Sequence, residues 1–216
     1  MTFQALPASF YEPSAREVAP KLLGHWLVRQ TGEGLCGGPI VETEAYVEGD
    51  PSCHAFGGQT ARNDVMWKGP GLCYVYLIYG FYYCFNAVCR PAGTAEAVLV
   101  RALEPLWGAE LMRSRRKTAD DLALTSGPGK LCAALDIRRE LNGVDLADPA
   151  SPLFIAENPN RAKFCEEAGP LVTTTRIGIV KAADWPLRFY LDRSRYISKK
   201  QKRAGTAKAP RRAAAK

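Results

Sequence analysis

The stretch LCYVYLIYGFYYCFN, Leu72 to Asn86, carries the strongest structural signal in this chain. Seven of the 21 aromatic residues fall between Tyr74 and Phe85. A period of two puts Tyr74 and Tyr76 on one face and Val75 and Leu77 on the other, as in a strand. Gly80, directly after Tyr79, is a turn residue, so the stretch predicts a β-hairpin with Tyr79 at or near its tip. Core packing accounts for most of these rings taken singly. It accounts poorly for Tyr79, because turn tips are surface positions. An exposed ring at a tip, with two tyrosines behind it on one face, suits a protein that stacks on flat rings such as nucleobases.

Upstream, Val47 to Lys68 reads as a long polar loop containing EGDPSCHAFGGQTARN, and loops of this length inside compact domains tend to be functional. It holds His54 among small neighbours and the pair Arg62-Asn63, which suits either a phosphate contact or a turn. Before it, PIVETEAY (39–46) is a strand with Ile40, Glu42, Glu44 and Tyr46 on one face and Val41, Thr43 and Ala45 on the other. Two carboxylates on a mostly apolar strand are costly unless paired or hydrogen-bonded. Either this is a solvent-facing edge strand, or one carboxylate sits in a cleft ready to take a proton from water. Ser14 predicts the N-cap of a helix through Leu23, with Val18, Ala19, Leu22 and Leu23 as its apolar stripe, Gly24 as its end and Pro20 as a break. His25 beside Trp26 reads as a packed residue opening the next strand.

Downstream, AVLVRAL (97–103) is a strand buried on both faces, yet it contains Arg101. A buried Arg cannot lose its charge, so it needs an acidic partner, and Glu42, Glu44 and Glu104 are the candidates. Pro105 predicts a helix through about Lys117 that ends in the basic run RSRRK. SGPGKLC, from Ser126, reads as a capped helix start whose free N–H groups and Lys130 could hold a phosphate, although P-loop spacing is missing. A loop to about Pro170, a strand near Val172 to Val180 and a strand Leu187 to Leu191 complete the expectation.

With 216 residues and 47% apolar composition, the chain suits one globular domain with a real core. No apolar run reaches membrane-spanning length, and MTFQALPASFYEP lacks the pattern of a signal peptide. Seven cysteines without paired spacing point to reduced thiols in the cytoplasm, or in the nucleus for a eukaryotic protein. With only His25 and His54 as histidines, a Cys/His zinc site is not expected. The net charge of +7 is uneven: residues 199–216 hold eight Lys or Arg and no acid, and the rest is close to neutral. That segment predicts a disordered basic tail, either for solubility or as an arm for a polyanion such as nucleic acid.

Seven ordered blocks carry a resemblance over residues 7–198: IVETEAY (40–46), SCHAFGG (52–58), ARNDVMWKGPG (61–71), YVYLIYGFYYCFN (74–86), LVRALEP (99–105), SGPGKLC (126–132) and LRFY (187–190). In these the chain resembles the alkyladenine (3-methyladenine) DNA glycosylases of the methylpurine type. The resemblance implies a monofunctional enzyme that flips alkylated or deaminated purines out of duplex DNA and hydrolyses the N-glycosidic bond. Tyr79 then matches the minor-groove wedge. Tyr46 and Tyr76 match the walls that sandwich the base, with His54 in the same pocket. Glu44 matches the general base, Arg101 the residue holding the water and sugar phosphate, and Ile177 a backbone carbonyl to the same water. Asn86 matches the residue that crowds the 2-amino group of guanine. Arg62, Asn63 and Lys130 are the expected further DNA contacts. No metal or organic cofactor is implied, and no Lys stands where a Schiff-base step would need one. Ala61 departs from the Pro of many relatives, and Leu72-Cys73 from their Thr-Leu.

The fold expected is one α+β domain over 1–198: a curved, mainly antiparallel sheet with surrounding helices and a hairpin protruding toward DNA. The expected partner is double-stranded DNA, bound by a monomer away from any membrane, with abasic-site processing enzymes acting downstream. A non-catalytic lesion binder using the same hairpin is the alternative from another class. A sugar hydrolase using Glu42 and Glu44 is weaker, because alternate strand residues share one face and cannot flank a substrate.

Overall fold

The structure, a computed structural model, describes residues 2–200. Its centre is one curled antiparallel sheet of eight strands with four α-helices around it, the α+β architecture expected. The strands are β1 (Trp26–Thr31), β2 (Gly34–Tyr46), β3 (Cys73–Ile78), β4 (Tyr82–Cys89), β5 (Glu96–Leu103), β6 (Leu153–Ala156), β7 (Leu171–Thr174) and β8 (Arg188–Leu191). The path runs β3-β4-β5-β2-β1-β6, and β8 pairs with both β2 and β7. Among the described residues, no helix is long and apolar enough to cross a membrane. Of the expected basic tail, all but Lys199 and Lys200 lies outside the described residues.

Strand β2 is central. Its first half pairs with β1, and its second half is held between β5 and β8. The edge-strand alternative for PIVETEAY is therefore wrong: Glu42 and Glu44 are fully buried. Alternation cannot reveal this, since it does not say whether the polar face is covered by protein or by water. The register also slips on either side of Glu42: Ile40 faces Leu103, Glu42 faces Ala102, and Thr43 faces Val100. Val41 and Arg101 are the extra residues of these two bulges. A bulge reverses the alternation on one side of it. Ile40 accordingly packs in the same apolar cluster as Ala45, and not on the face of Glu42 and Glu44.

Helix α1 (Ala15–Leu22) buries Val18, Ala19 and Leu22 on the sheet. Ser14 caps it by accepting from Arg16 N, while Glu96 accepts from the Ser14 hydroxyl and from Ala15 N. These contacts tie the helix start to β5, and the helix runs through Pro20 unbroken. The carbonyl that loses its donor belongs to Arg16, an exposed residue within reach of water. His25 is packed, as expected, edge-on against Phe10, and burial lowers its pKa to about 4.

Helix α2 (Ala109–Arg116) starts four residues later than Pro105 predicts. The intervening backbone is committed to β2: Glu104 N donates to Pro39 O, and Leu106 N and Trp107 N donate to Gly37 O. Only then does Gly108, at φ 70°, turn the chain into the helix. The approach is so close that a Cβ on Gly38 would lie 1.9 Å from the Glu104 carbonyl oxygen. Gly38→Ala should therefore destabilise the protein by about 1–3 kcal/mol. Thermal unfolding checks this, and an unchanged midpoint would remove the close approach as a constraint. Two of the four cations at the helix end are paired with acids, Arg113 with Glu110 and Asp121, and Arg115 with Glu33.

Helix α3 (Pro128–Ala134) is capped at Gly127, not Ser126, whose backbone bridges to Ala102. Strand β6 and helix α4 (Arg161–Glu167) occupy the region expected to be a loop. The strand expected over 172–180 stops at Thr174, because Arg176 turns inward to Asp50 and Gly178 takes φ 76°.

Candidate active site

Hairpin β3–β4 pairs Cys73 with Ala87 through Ile78 with Tyr82. Its turn places two consecutive residues in the left-handed region, Tyr79 at φ 55° and Gly80 at φ 79°. Such a turn matches the twist of the flanking strands and asks for glycine-like conformations. Gly80 accommodates this freely. Tyr79 does so at a steric cost, and its ring stands 75% exposed with Phe81 beside it at 68%. The hairpin is tied to α3 just past its turn, where a Cβ on Gly129 would meet Tyr82 ring carbons at 3.1–3.2 Å.

Between the hairpin and the segment 177–179 opens a cavity of about 340 Å³. Tyr46 from β2, Tyr74 and Tyr76 from β3, and His54 from the long loop supply its aromatic wall. The His54 ring packs edge-on against Tyr76 at 4.4 Å between centroids, and its Nδ1 shares a 2.9 Å hydrogen bond with the Tyr74 hydroxyl. Burial, and then the Arg62 cation, hold His54 below its ordinary pKa, so the ring is neutral at pH 7. Burial likewise raises Tyr74 to about 12 and pushes Tyr46 and Tyr76 higher still. These four rings, three phenols and one imidazole, are thus uncharged. Asn86, on β4, lines the cavity too, its Nδ2 donating to Tyr74 O at 3.1 Å.

Glu44 is not on the cavity surface. It sits directly behind it, covered by Tyr46, Arg101 and Ile177, which do line the space. Its Oε1 accepts from Ile177 N at 2.8 Å. Its Oε2 accepts from the Tyr46 hydroxyl at 3.0 Å and lies 3.1 Å from Arg101 Nη1. Burial alone would lower the Arg101 pKa, but Glu44 and Glu42 together raise it, so the cation is fixed. The acidic partner that the sequence demanded for Arg101 is therefore Glu42 with Glu44, and Glu104 takes no part.

The remaining expected contacts divide. Arg62 is exposed, its guanidinium 5.7 Å from the Tyr76 ring centroid, at the cavity rim. Lys130 is exposed on the first turn of α3, next to Pro128 and Gly129, which line the cavity. Asn63 is different. It is buried, accepts from Thr60 N and donates to His54 O and Gly58 O. Its side chain builds the loop and is not presented to a phosphate, which settles the choice in favour of the turn.

Sequence reasoning missed the residue that holds Tyr46 from behind. The Arg176 guanidinium lies 4.7 Å from the Tyr46 ring centroid, forms a fully buried pair with Asp50, and donates to Ala45 O at 3.0 Å. The next residue places its N–H on Glu44, so one ion pair sets both the aromatic wall and the carboxylate. A lone Arg in the run LVTTTRIGIV, read as Arg101 was, would have called for such a partner.

Comparison with known proteins extends this picture. The family model described as Methylpurine-DNA glycosylase (MPG) matches residues 9–195. A protein of Methanoculleus marisnigri named "Putative 3-methyladenine DNA glycosylase" is 51% identical over 195 residues, 90% of this chain and 99% of the relative. Proteins with the same name from Carboxydothermus hydrogenoformans and Rhodopseudomonas palustris are 47% and 48% identical, over 90% and 88% of this chain and 99% and 88% of theirs.

Proposed function

The chain belongs to the methylpurine-DNA glycosylase family and is a DNA glycosylase of the 3-methyladenine type, a hydrolase of N-glycosyl bonds; from that premise we propose that it flips alkylated and deaminated purines out of duplex DNA and cleaves them with water activated by Glu44. The observation that carries this reading is the buried carboxylate directly behind a cavity walled by uncharged aromatic rings and the Arg101 cation. A base stacked in a duplex cannot reach Glu44, so it must leave the stack first. A cavity of about 340 Å³ is within the usual range for a small flat ligand.

In this mechanism Tyr46 and Tyr76 sandwich the extruded purine with His54 at its edge, and stacking is tolerant of which base enters. Asn86 opposes the 2-amino group of guanine; a clash or an unpaired donor there rejects the normal base. As the C1′–N bond lengthens, its electron pair leaves with the purine and positive charge grows on the sugar. Glu44, set behind Tyr46, Arg101 and Ile177, stabilises that charge from beneath the cavity wall. Its Oε1 has accepted one hydrogen bond and retains a lone pair for a water. The water oxygen bonds to C1′ and its proton passes to the carboxylate. Arg101 holds Oε2, and the backbone at Ile177 is the further ligand for the water. All these groups come from one chain, so a monomer suffices, and the abasic product passes to enzymes that process such sites.

Tyr79, Arg62 and Lys130 flank the cavity mouth, and Tyr79 is the wedge that fills the gap left by the flipped nucleotide. Tyr79→Ala should lower affinity for lesion-containing duplex by the worth of one stacked base, about 1–3 kcal/mol, with little change in thermal stability. Fluorescence anisotropy measures this. Unchanged affinity together with unchanged base release would remove Tyr79 from the mechanism.

The whole reading is tested by single-turnover base release from a duplex carrying one hypoxanthine, with DNA containing 3-methyladenine as a second substrate. Release from both is expected, with none from undamaged duplex. Binding of lesions without release from either would instead make this a lesion binder.

A further inference from the structure

We propose that Ser198 and Glu42 are positioning residues for this reaction, fixing the Arg101 guanidinium against Glu44, so that the segment leading into the basic tail is part of the catalytic apparatus. The inference rests on the roles given above to Glu44 and Arg101. All three guanidinium nitrogens of Arg101 are engaged, each by a different residue. Its Nε donates to Glu42 Oε1 at 2.9 Å, its Nη2 to Ser198 Oγ at 3.2 Å, and its Nη1 lies 3.1 Å from Glu44 Oε2. One ion pair with Glu44 would set a distance only. Two further bonds, from Nε and Nη2 to acceptors that are themselves joined by a 2.8 Å hydrogen bond, set the plane of this rigid group.

The hub behind this arrangement is Glu42, fully buried and bonded to four donors. Besides Arg101 these are Arg188 Nε at 2.7 Å, Ser198 N at 2.6 Å and the Ser198 hydroxyl at 2.8 Å. Arg101, Arg188, Glu42 and Glu44 form a network of two cations and two anions, which closes its charge balance without solvent. Ser198 joins the network by both backbone and side chain. Its hydroxyl accepts from Arg101 and donates to Glu42, a double role that neither a carboxylate nor an ammonium could fill. Arg188 also donates to the Lys199 carbonyl, so the chain is fastened on both sides of the Ser198 hydroxyl. A segment needed only to end the fold does not require a hydroxyl aimed at a buried guanidinium.

Removing Glu42 would leave two buried cations uncompensated, which confounds its substitution with unfolding. Ser198→Ala is cleaner, because the backbone bond to Glu42 remains. In the full-length chain, Ser198→Ala should slow single-turnover release of hypoxanthine at saturating protein about tenfold, the size of one charge-assisted hydrogen bond. Duplex affinity should stay within about twofold of wild type, as expected for a group that does not touch DNA. Ser198→Thr, which keeps the hydroxyl, should recover most of the rate. Equal rates for Ser198→Ala and wild type would overturn the proposal. So would a loss that Ser198→Thr fails to recover, or one matched by a lowered thermal midpoint, since either is what a structural role predicts. A wild type that releases no base would sink the glycosylase mechanism itself, and this proposal with it.

Discussion

Glu44→Gln should lower the single-turnover rate of base release by about 10²–10⁴-fold, the usual contribution of a general base, while lesion-containing duplex still binds. The size follows from what the substitution removes. Glutamine is nearly isosteric but carries no charge, so it neither accepts the proton of water nor balances positive charge on the sugar. Its amide must also present an NH₂ group to existing donors. One side of the carboxylate faces Ile177 N, and the other faces the Tyr46 hydroxyl and Arg101. Whichever way the amide turns, a donor meets a donor, and Arg101 keeps only Glu42 as its anion. Some loss of stability is therefore part of the expectation, and the test pairs rate with affinity and thermal midpoint. Retained binding with collapsed release assigns the base. Full activity in a folded Glu44→Gln protein would take the role away from Glu44 and leave the family membership standing.

Local physics made the aromatic hairpin legible. Alternation, a turn glycine and aromatic density all act within a few residues, and β3, β4 and the exposed Tyr79 lie where they were expected. Arg101 was legible for a different reason: a permanent charge in an apolar run implies a partner even when the partner is unseen. What could not be read is what depends on distant segments. The late start of α2 comes from backbone bonds to Gly37 and Pro39 across the fold. The reversed face of Ile40 comes from bulges, which alternation assumes away. Strand β6 has only four residues and helix α4 seven, too few for a periodicity to stand out. Within the site, Ser198 reaches Glu42 across 156 positions and Arg176 reaches Asp50 across 126. No local pattern encodes such closures. Asn63 shows the opposite error, since a polar loop residue beside an Arg invited a ligand reading when its amide was needed to close the loop.

The second large effect is expected at Asp50, a residue that touches neither the cavity nor Glu44. Asp50→Ala should destabilise the protein by about 3–5 kcal/mol, because it leaves the Arg176 cation buried without its anion. Both side chains are fully enclosed, so water cannot take the place of the carboxylate without opening the structure. One bond from Arg176, to Ala45 O, survives the change, and the Nε of Arg176 is already buried without a partner. For a chain of this length the loss corresponds to a midpoint lowered by roughly 6–20 °C. The damage should also reach chemistry, because Arg176 backs the Tyr46 ring and its neighbour Ile177 holds Glu44. Base release in the folded fraction should fall along with stability. The double variant Asp50→Leu with Arg176→Met separates the two consequences. Replacing both charges with apolar groups of similar size is often neutral or stabilising, so the midpoint should return toward wild type. Release should return only in part, since Met neither donates to Ala45 O nor stacks a cation on Tyr46. If Asp50→Ala unfolds within about 1 kcal/mol of wild type, a cost ordinary for any point substitution, the buried pair does not anchor the segment that carries Ile177.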